Sequence, residues 1–373
     1  MPDITYYSHI PLLSAPPSFL NKVPGLENFL KMARFFGTNV GVYDSSGTHV
    51  IPFNYKPTTS MPAFDPDFNL TFLDVIRKRM KELEIKHNAT GKNFRLLYSG
   101  GVDSTTMFAA FVDYFGMDKT KNILEISCSP ESINENPWLW DSYIRPNNFK
   151  LISSHTHTRG WGDNVMVVMG EGCDQLFGGY GSGAWCHYAL QNKIDIHHDI
   201  DQNLLENYLN WYKPGQPVDA VKYCADKLIQ IGKNSPFPID TMYMLVWWYT
   251  ISVYWDSFSK RILGQSKIDK LPNDILETTL IQFFNTSDFQ KWSFKHHYSN
   301  LRNYSELENY KLECKNVISS VLNIPEYNVK SKFLSWPRMH SMKKSSYIID
   351  ENMVAYNNLE DFLNFVNPNN SFL

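Results

Sequence analysis

Residues 94–116 read FRLLYSGGVDSTTMFAAFVDYFG, and this stretch decides the fold class. Phe94–Tyr98 is a compact apolar run of strand length, Ser99–Ser104 is a polar turn with two adjacent glycines, and Thr105–Phe115 is a helical run closed by Gly116. A strand that runs straight into a glycine turn and then a helix opens an α/β unit. Downstream, Asn122–Ser127 is a second strand, Glu135–Tyr143 a short helix, and Phe149–Ser153 and Val165–Met169 two further apolar runs of strand length. Strands alternating with helices predict a parallel sheet with helices on both faces. Beyond Tyr180 the pattern is helical, over Leu204–Tyr212, Val218–Ile231, Asp240–Leu263 and Leu307–Leu322. Upstream, Asn39–Tyr43 and Thr48–Phe53 flank the turn residues Asp44–Gly47 and read as a hairpin. Pro52–Pro66 reads as a proline-punctuated linker, and Thr71–Leu83 as an amphipathic helix broken near Gly91. The expected organisation is therefore an N-terminal hairpin, linker and helix over 1–93, an α/β part over 94–190 and a helical part over 191–373.

Composition bounds the function. The chain has 373 residues, 20% charged and 43% apolar, which excludes a disordered polypeptide. With 35 Lys and Arg against 38 Asp and Glu the formal charge is −3, which argues against nucleic acid as the main partner. The five cysteines (Cys128, Cys173, Cys186, Cys224, Cys314) include no CxxC and are odd in number. They read as reduced thiols, and with no secretory N-terminus they imply a cytoplasmic protein. The most apolar run, Met242–Trp255, falls short of the ~20 residues a bilayer span requires and reads as a buried helix, so no membrane association is expected.

The glycine turn has the chemistry of a phosphate cradle. Gly100 and Gly101 let the backbone turn sharply and aim several N–H groups at one point, where a helix N-terminus adds its positive end. The hydroxyls of Ser99 and Ser104 donate to phosphate oxygens, whereas a bare Asp103 carboxylate repels them unless a divalent cation bridges the two. The spacing is not that of a Walker A loop. Taken alone, a structural turn capped by serine explains the same residues. The six residues Ser99-Gly100-Gly101-Val102-Asp103-Ser104, however, resemble the SGGxDS loop of the PP-loop ATP pyrophosphatases. That resemblance implies an adenine nucleotide alpha hydrolase-like sheet, cleavage of ATP between its α- and β-phosphates, and Mg2+ held in part by Asp103. It also implies adenine read largely by backbone at strand ends, with Tyr98, Ile126 and Ser127 as candidates.

A second motif ends another expected strand: Met169-Gly170-Glu171-Gly172-Cys173-Asp174-Gln175-Leu176-Phe177-Gly178-Gly179-Tyr180. Physically, two carboxylates three residues apart sit among four glycines, able to contact Mg2+ or to position a nucleophile, or simply to lie solvated at a strand-to-helix corner. The string resembles the GEGxDExFGGY element of the asparagine synthetase family. The resemblance implies Gly170 and Glu171 as neighbours of substrate and nucleotide, and Asp174 as a metal and pyrophosphate group. Gln175 departs from the family's second acid, which puts one outer contact in doubt. Near the C-terminus, Ile324-Pro325 followed by Lys330-Ser331-Lys332 is similar to the family's proline, then R-x-K, segment. Lys332 then falls on the catalytic lysine and Lys330 on the arginine, where a cation steadies developing negative charge. An exposed basic segment is the plain alternative. Arg159, in a loop after His155 and His157, is a candidate to clasp a substrate carboxylate. The two histidines lack a third ligand for a metal.

Full asparagine synthetases begin with a catalytic cysteine after the initiator methionine. Here residue 2 is Pro2 and no cysteine precedes Cys128, so no glutaminase of the chain's own is expected. The expected activity is an AMP-forming carboxylate–amine ligase using ATP and Mg2+. It would adenylate a small-molecule or peptide carboxylate, release pyrophosphate and transfer the acyl group to ammonia or an amine, supplied free or by a separate ammonia-supplying or carrier protein. Glu171 and Lys332 are the expected catalytic residues. The competing readings are a PP-loop enzyme that modifies tRNA or another nucleobase and an ATP-binding homologue without catalysis.

Overall fold

The computed structural model describes residues 3–8, 10–13, 24–36, 41–153, 164–265, 270–300, 310–325, 327 and 348–356. Among these the chain forms strands β1 (Ile4–Tyr7), β2 (Asn93–Leu97), β3 (Leu124–Cys128), β4 (Leu151–Ser153), β5 (Val165–Met169), β6 (Leu280–Gln282), β7 (Ile348–Asp350) and β8 (Ala355–Tyr356). The longer helices that position the site are α1 (Leu26–Phe36), α2 (Phe72–Thr90), α3 (Val102–Ile123), α4 (Gly179–Gln191), α5 (Val218–Lys233), α6 (Met242–Ser259) and α7 (Leu312–Val321).

Strands β2 to β6 form one parallel sheet in the order β4-β3-β2-β5-β6, with Leu96 opposite Ile126 on one side and Val168 on the other. The chain builds outward from β2 through β3 and β4. It then returns to the opposite flank of β2 as β5. The strand order therefore reverses between β2 and β5. Such reversals open a crevice at the carboxyl ends of the strands, where α/β proteins bind ligands.

Period-two alternation decides what each face of the sheet meets. Phe94, Leu96, Ile126, Met166 and Val168 join the main core with Met107, Phe108 and Phe111 of α3. Val165, Val167 and Met169 face a second cluster containing Tyr6, Ile262, Leu263, Leu280 and Ile349. That second cluster includes residues of the antiparallel sheet β1-β7-β8, which joins the two ends of the chain. With apolar cover on both faces, β5 is buried along its whole length, as a central parallel strand should be.

Local signals account for the helix boundaries. Thr71 and Asp74 form a reciprocal capping box at the start of α2, and Gly91 ends it at φ +66°. Gly116, at φ +74°, interrupts α3 where the sequence reading closes that helix, and a further helical segment follows. The apolar run expected to be a buried helix is α6, and no helix among the described residues is long and apolar enough to cross a membrane.

Two expectations are corrected. The expected hairpin does not form: no strand occurs among the described residues 41–53, because the Asp44 carboxylate accepts the N–H groups of Ser46 and His49 and folds the segment on itself. The expected helix Glu135–Tyr143 is broken. Pro130–Glu135 ends at Asn136, which is held out of helical geometry before Pro137, and a short turn and a π-turn over Trp140–Ile144 follow. The main core runs from Met32 to Tyr327, and β1 pairs with β7.

Candidate functional site

The crevice between β2 and β5 is built from four chain segments. The first is the β2–α3 loop. Gly100 takes φ +80°, and a Cβ there would overlap the carbonyl oxygen of Ser132, so glycine is required on both conformational and steric grounds. The loop is held internally: the Ser99 N–H donates to Ser104 Oγ at 3.2 Å, and Ser104 Oγ donates to the Gly101 carbonyl at 3.1 Å. Gly101 is the N-cap of α3 and brings no side chain to it, leaving the helix's first N–H groups without a side-chain cap.

The second segment follows β5. Gly170 passes so close to α3 that an added Cβ would lie 3.2 Å from the Asp103 Cβ. Its missing side chain is what lets the two loops meet. Gly172, at φ +91°, then starts the short helix Cys173–Leu176 that carries Asp174. Glu171, Asp174 and Asp103 are thereby gathered at the carboxyl ends of two adjacent strands.

The third and fourth segments come from the helical region, and each brings a cation. Arg261 follows the end of α6, and its guanidinium lies 2.5 Å from the Glu171 carboxylate. Lys311 immediately precedes α7, which packs along α3. Its ammonium touches the Asp103 carboxylate and lies 2.5 Å from Asp174. Tyr310 donates its hydroxyl to Asp174 at 2.8 Å. Lys311 is 7% exposed, against 26% for Asp103 and 41% for Asp174, so the cation lies beneath the two acids.

These contacts set the electrostatics. Burial pushes the Glu171 carboxyl above its ordinary range, and Asp174 and Asp103 add to this, while Arg261 opposes it. Burial likewise raises Asp103, against the pull of Lys311. Burial alone would lower the Lys311 ammonium, but Asp103 and Asp174 raise it well above its usual value, so it stays charged. The Cys173 thiol, 3.8 Å from that of Cys314, is pushed well up by burial and stays protonated.

The expected residues distribute as follows. Ser99, Gly100, Gly101, Val102, Asp103 and Ser104 adjoin Gly170, Glu171 and Asp174 around the crevice. Tyr98 directly follows β2 and donates its N–H to the Ser127 carbonyl at 2.9 Å. Ile126 lies in the core with its N–H spent on Lys150, whereas the buried Ser127 hydroxyl has no hydrogen-bond partner and is a spare polar group. Gln175 is buried. Arg159, Lys330 and Lys332 lie outside the described residues. Sequence reading missed Arg261, Tyr310 and Lys311. The one available signal was the charged group Asp256, Lys260 and Arg261 closing an apolar helix; Lys311 had none.

Among the described residues no group of three His, Cys, Asp or Glu side chains gathers to hold a metal. Two carboxylates close enough to share one ammonium do suit Mg2+, which typically takes one or two carboxylates and completes its shell with phosphates and water. Comparisons with family models, with curated proteins and with solved structures find no match.

Proposed function

We propose that the chain is an ATP-dependent, AMP-forming carboxylate–amine ligase of the asparagine synthetase type, with a PP-loop ATP site between β2 and β5. The observation that carries this reading is the convergence of its two motifs. The SGGVDS loop and the GEGCD loop end adjacent parallel strands at the point where strand order reverses, and their aspartates share a single cation.

In this reading the uncapped start of α3, with the Ser99 hydroxyl, binds phosphate oxygens, while Ser104, whose hydroxyl donates to the Gly101 carbonyl, holds the loop in shape. Asp103 and Asp174 would hold Mg2+, which neutralises pyrophosphate as it leaves. The substrate carboxylate oxygen attacks the α-phosphorus, the bond to the β-phosphate breaks, and acyl-adenylate and pyrophosphate form. The amine nitrogen then attacks the acyl carbon, AMP departs with the carboxyl oxygen, and Glu171 accepts the nitrogen's proton. A carboxylate raised by burial and oriented by Arg261 is suited to that proton transfer. The assignment of Lys332 as a further cation belongs to the resemblance alone.

Hydroxylamine trapping tests the proposal. Chain, Mg-ATP, hydroxylamine and a panel of carboxylates, including amino acids and short peptides, are expected to yield a hydroxamate and equimolar pyrophosphate with at least one member. Folded protein that yields neither across the panel contradicts the reading.

A further inference from the structure

We propose that Lys311 is a built-in counter-ion that closes the Asp103–Asp174 pair in the cation-free chain, so that a divalent cation enters only by displacing its ammonium. This rests on the ligase reading for its purpose, though not for its geometry. One ammonium touches both carboxylates, one in each loop of the crevice. The acids are more exposed than the lysine, which is nearly covered, so an incoming cation reaches the carboxylates first and contends with Lys311 for their oxygens.

Lys311 is also held in an unusual way. Its backbone sits at φ +58° and ψ 32°, a left-handed conformation that glycine and asparagine adopt far more readily than lysine. A non-glycine residue persists there when its surroundings over-determine it. Three contacts supply that constraint. The ammonium is bound by two acids, Tyr310 is hydrogen-bonded to Asp174, and one helical turn on Cys314 packs its thiol against Cys173, next to Asp174. The same helix that carries the lysine is thus anchored to the helix that carries its acceptor.

The consequence is competition. A divalent cation and the ammonium seek the same oxygens, and like charges at hydrogen-bond separation oppose one another strongly in a partly buried site. Metal alone should bind weakly. Metal carrying ATP phosphates should bind better, because the phosphates bring negative charge to the released ammonium. The crevice would then stay closed to free metal and open to the metal–nucleotide complex.

The test measures Mn2+ binding to the full chain without nucleotide, by electron paramagnetic resonance. Lys311→Gly, in a backbone conformation that suits glycine, and Lys311→Met, which keeps the aliphatic stem, are each expected to raise Mn2+ affinity by about tenfold or more. Adding Asp174→Asn should erase the gain. Unchanged or weaker Mn2+ binding in a Lys311→Gly chain that melts at or above the wild-type temperature overturns the proposal. A second measurement needs no variant. Reductive methylation read by mass spectrometry should leave Lys311 unlabelled without metal and label it at Mn2+ concentrations that saturate the wild-type chain. Persistent protection there overturns the proposal. AMP formation with unchanged Mn2+ affinity would retire the counter-ion and leave the ligase reading. The Mn2+ gain without AMP formation would do the reverse.

Discussion

At residue 100 the backbone takes φ +80° and there is no room for a Cβ beside the Ser132 carbonyl. Gly100→Ala is therefore expected to destabilise the chain by about 1–3 kcal/mol, read as a lower urea midpoint at unchanged m-value. In the proposed reaction Glu171 acts only after adenylation. Glu171→Gln should retain carboxylate-dependent exchange of labelled pyrophosphate into ATP while amide formation falls by about 10²-fold or more. Equal loss of both reactions would mean that Glu171 serves the first step instead. Residue-scale chemistry was legible only where residues are local. The six residues from Ser99 to Ser104 announce themselves. Lys311 does not, because its acceptor Asp103 is 208 positions away.

Helix α6 shows how an element can be read correctly and its purpose missed. Its apolar length marks it as buried, yet the charges at its end organise the surroundings. Asp256 and Lys260 are fully buried and 2.8 Å apart. Asp256 also accepts the Tyr55 hydroxyl at 2.5 Å and the N–H groups of Thr58 and Thr59 at 2.7 and 3.0 Å. The proline-punctuated segment that reads as a linker is therefore pinned to α6, directly before Arg261. Removing one partner of a buried ion pair strands the other. Asp256→Ala is expected to cost about 3–5 kcal/mol in urea unfolding, and a cost under 1 kcal/mol would show the network to be dispensable. The strands were legible in the same uneven way. β5 is a continuous apolar run bounded by turn residues, and in β2 the apolar run is interrupted by Arg95. β6 is three residues long between Thr279 and Phe283, too short to show a period, and is defined by its pairing with β5. β1 and β7 are defined by pairing between opposite ends of the chain, which no local window reveals.

On the scale of the whole molecule, the α/β part supplies the acids of the crevice and the helical region supplies two cations, so the site exists only when the two are packed together. Buried histidines make that packing sensitive to acid. His297 donates Nε2–H to the Leu176 carbonyl at 2.7 Å, within the second motif, and its Nδ1 has no partner. Burial, with His296 adding to it, holds His297 well below the usual imidazole range, and burial lowers His49 to about 4. Each imidazole is neutral when folded and protonates near pH 6.5 when unfolded, so its contribution to stability is lost as pH falls below that point. Between pH 6.5 and 5, His297→Gln should gain on the wild type by about 1.4 kcal/mol per pH unit in urea unfolding. A pH-independent difference would mean that His297 is charged in the folded chain.

The ATP bond that is broken separates an AMP-forming ligase from one that releases ADP. ATP labelled at the α-phosphate, incubated with the chain, Mg2+ and a carboxylate that yields hydroxamate, is expected to give labelled AMP and unlabelled pyrophosphate. Asp103→Asn, still folded by circular dichroism, should lower the rate by at least about 10²-fold. Labelled ADP with free phosphate as the products of the wild-type chain would rule out an AMP-forming ligase.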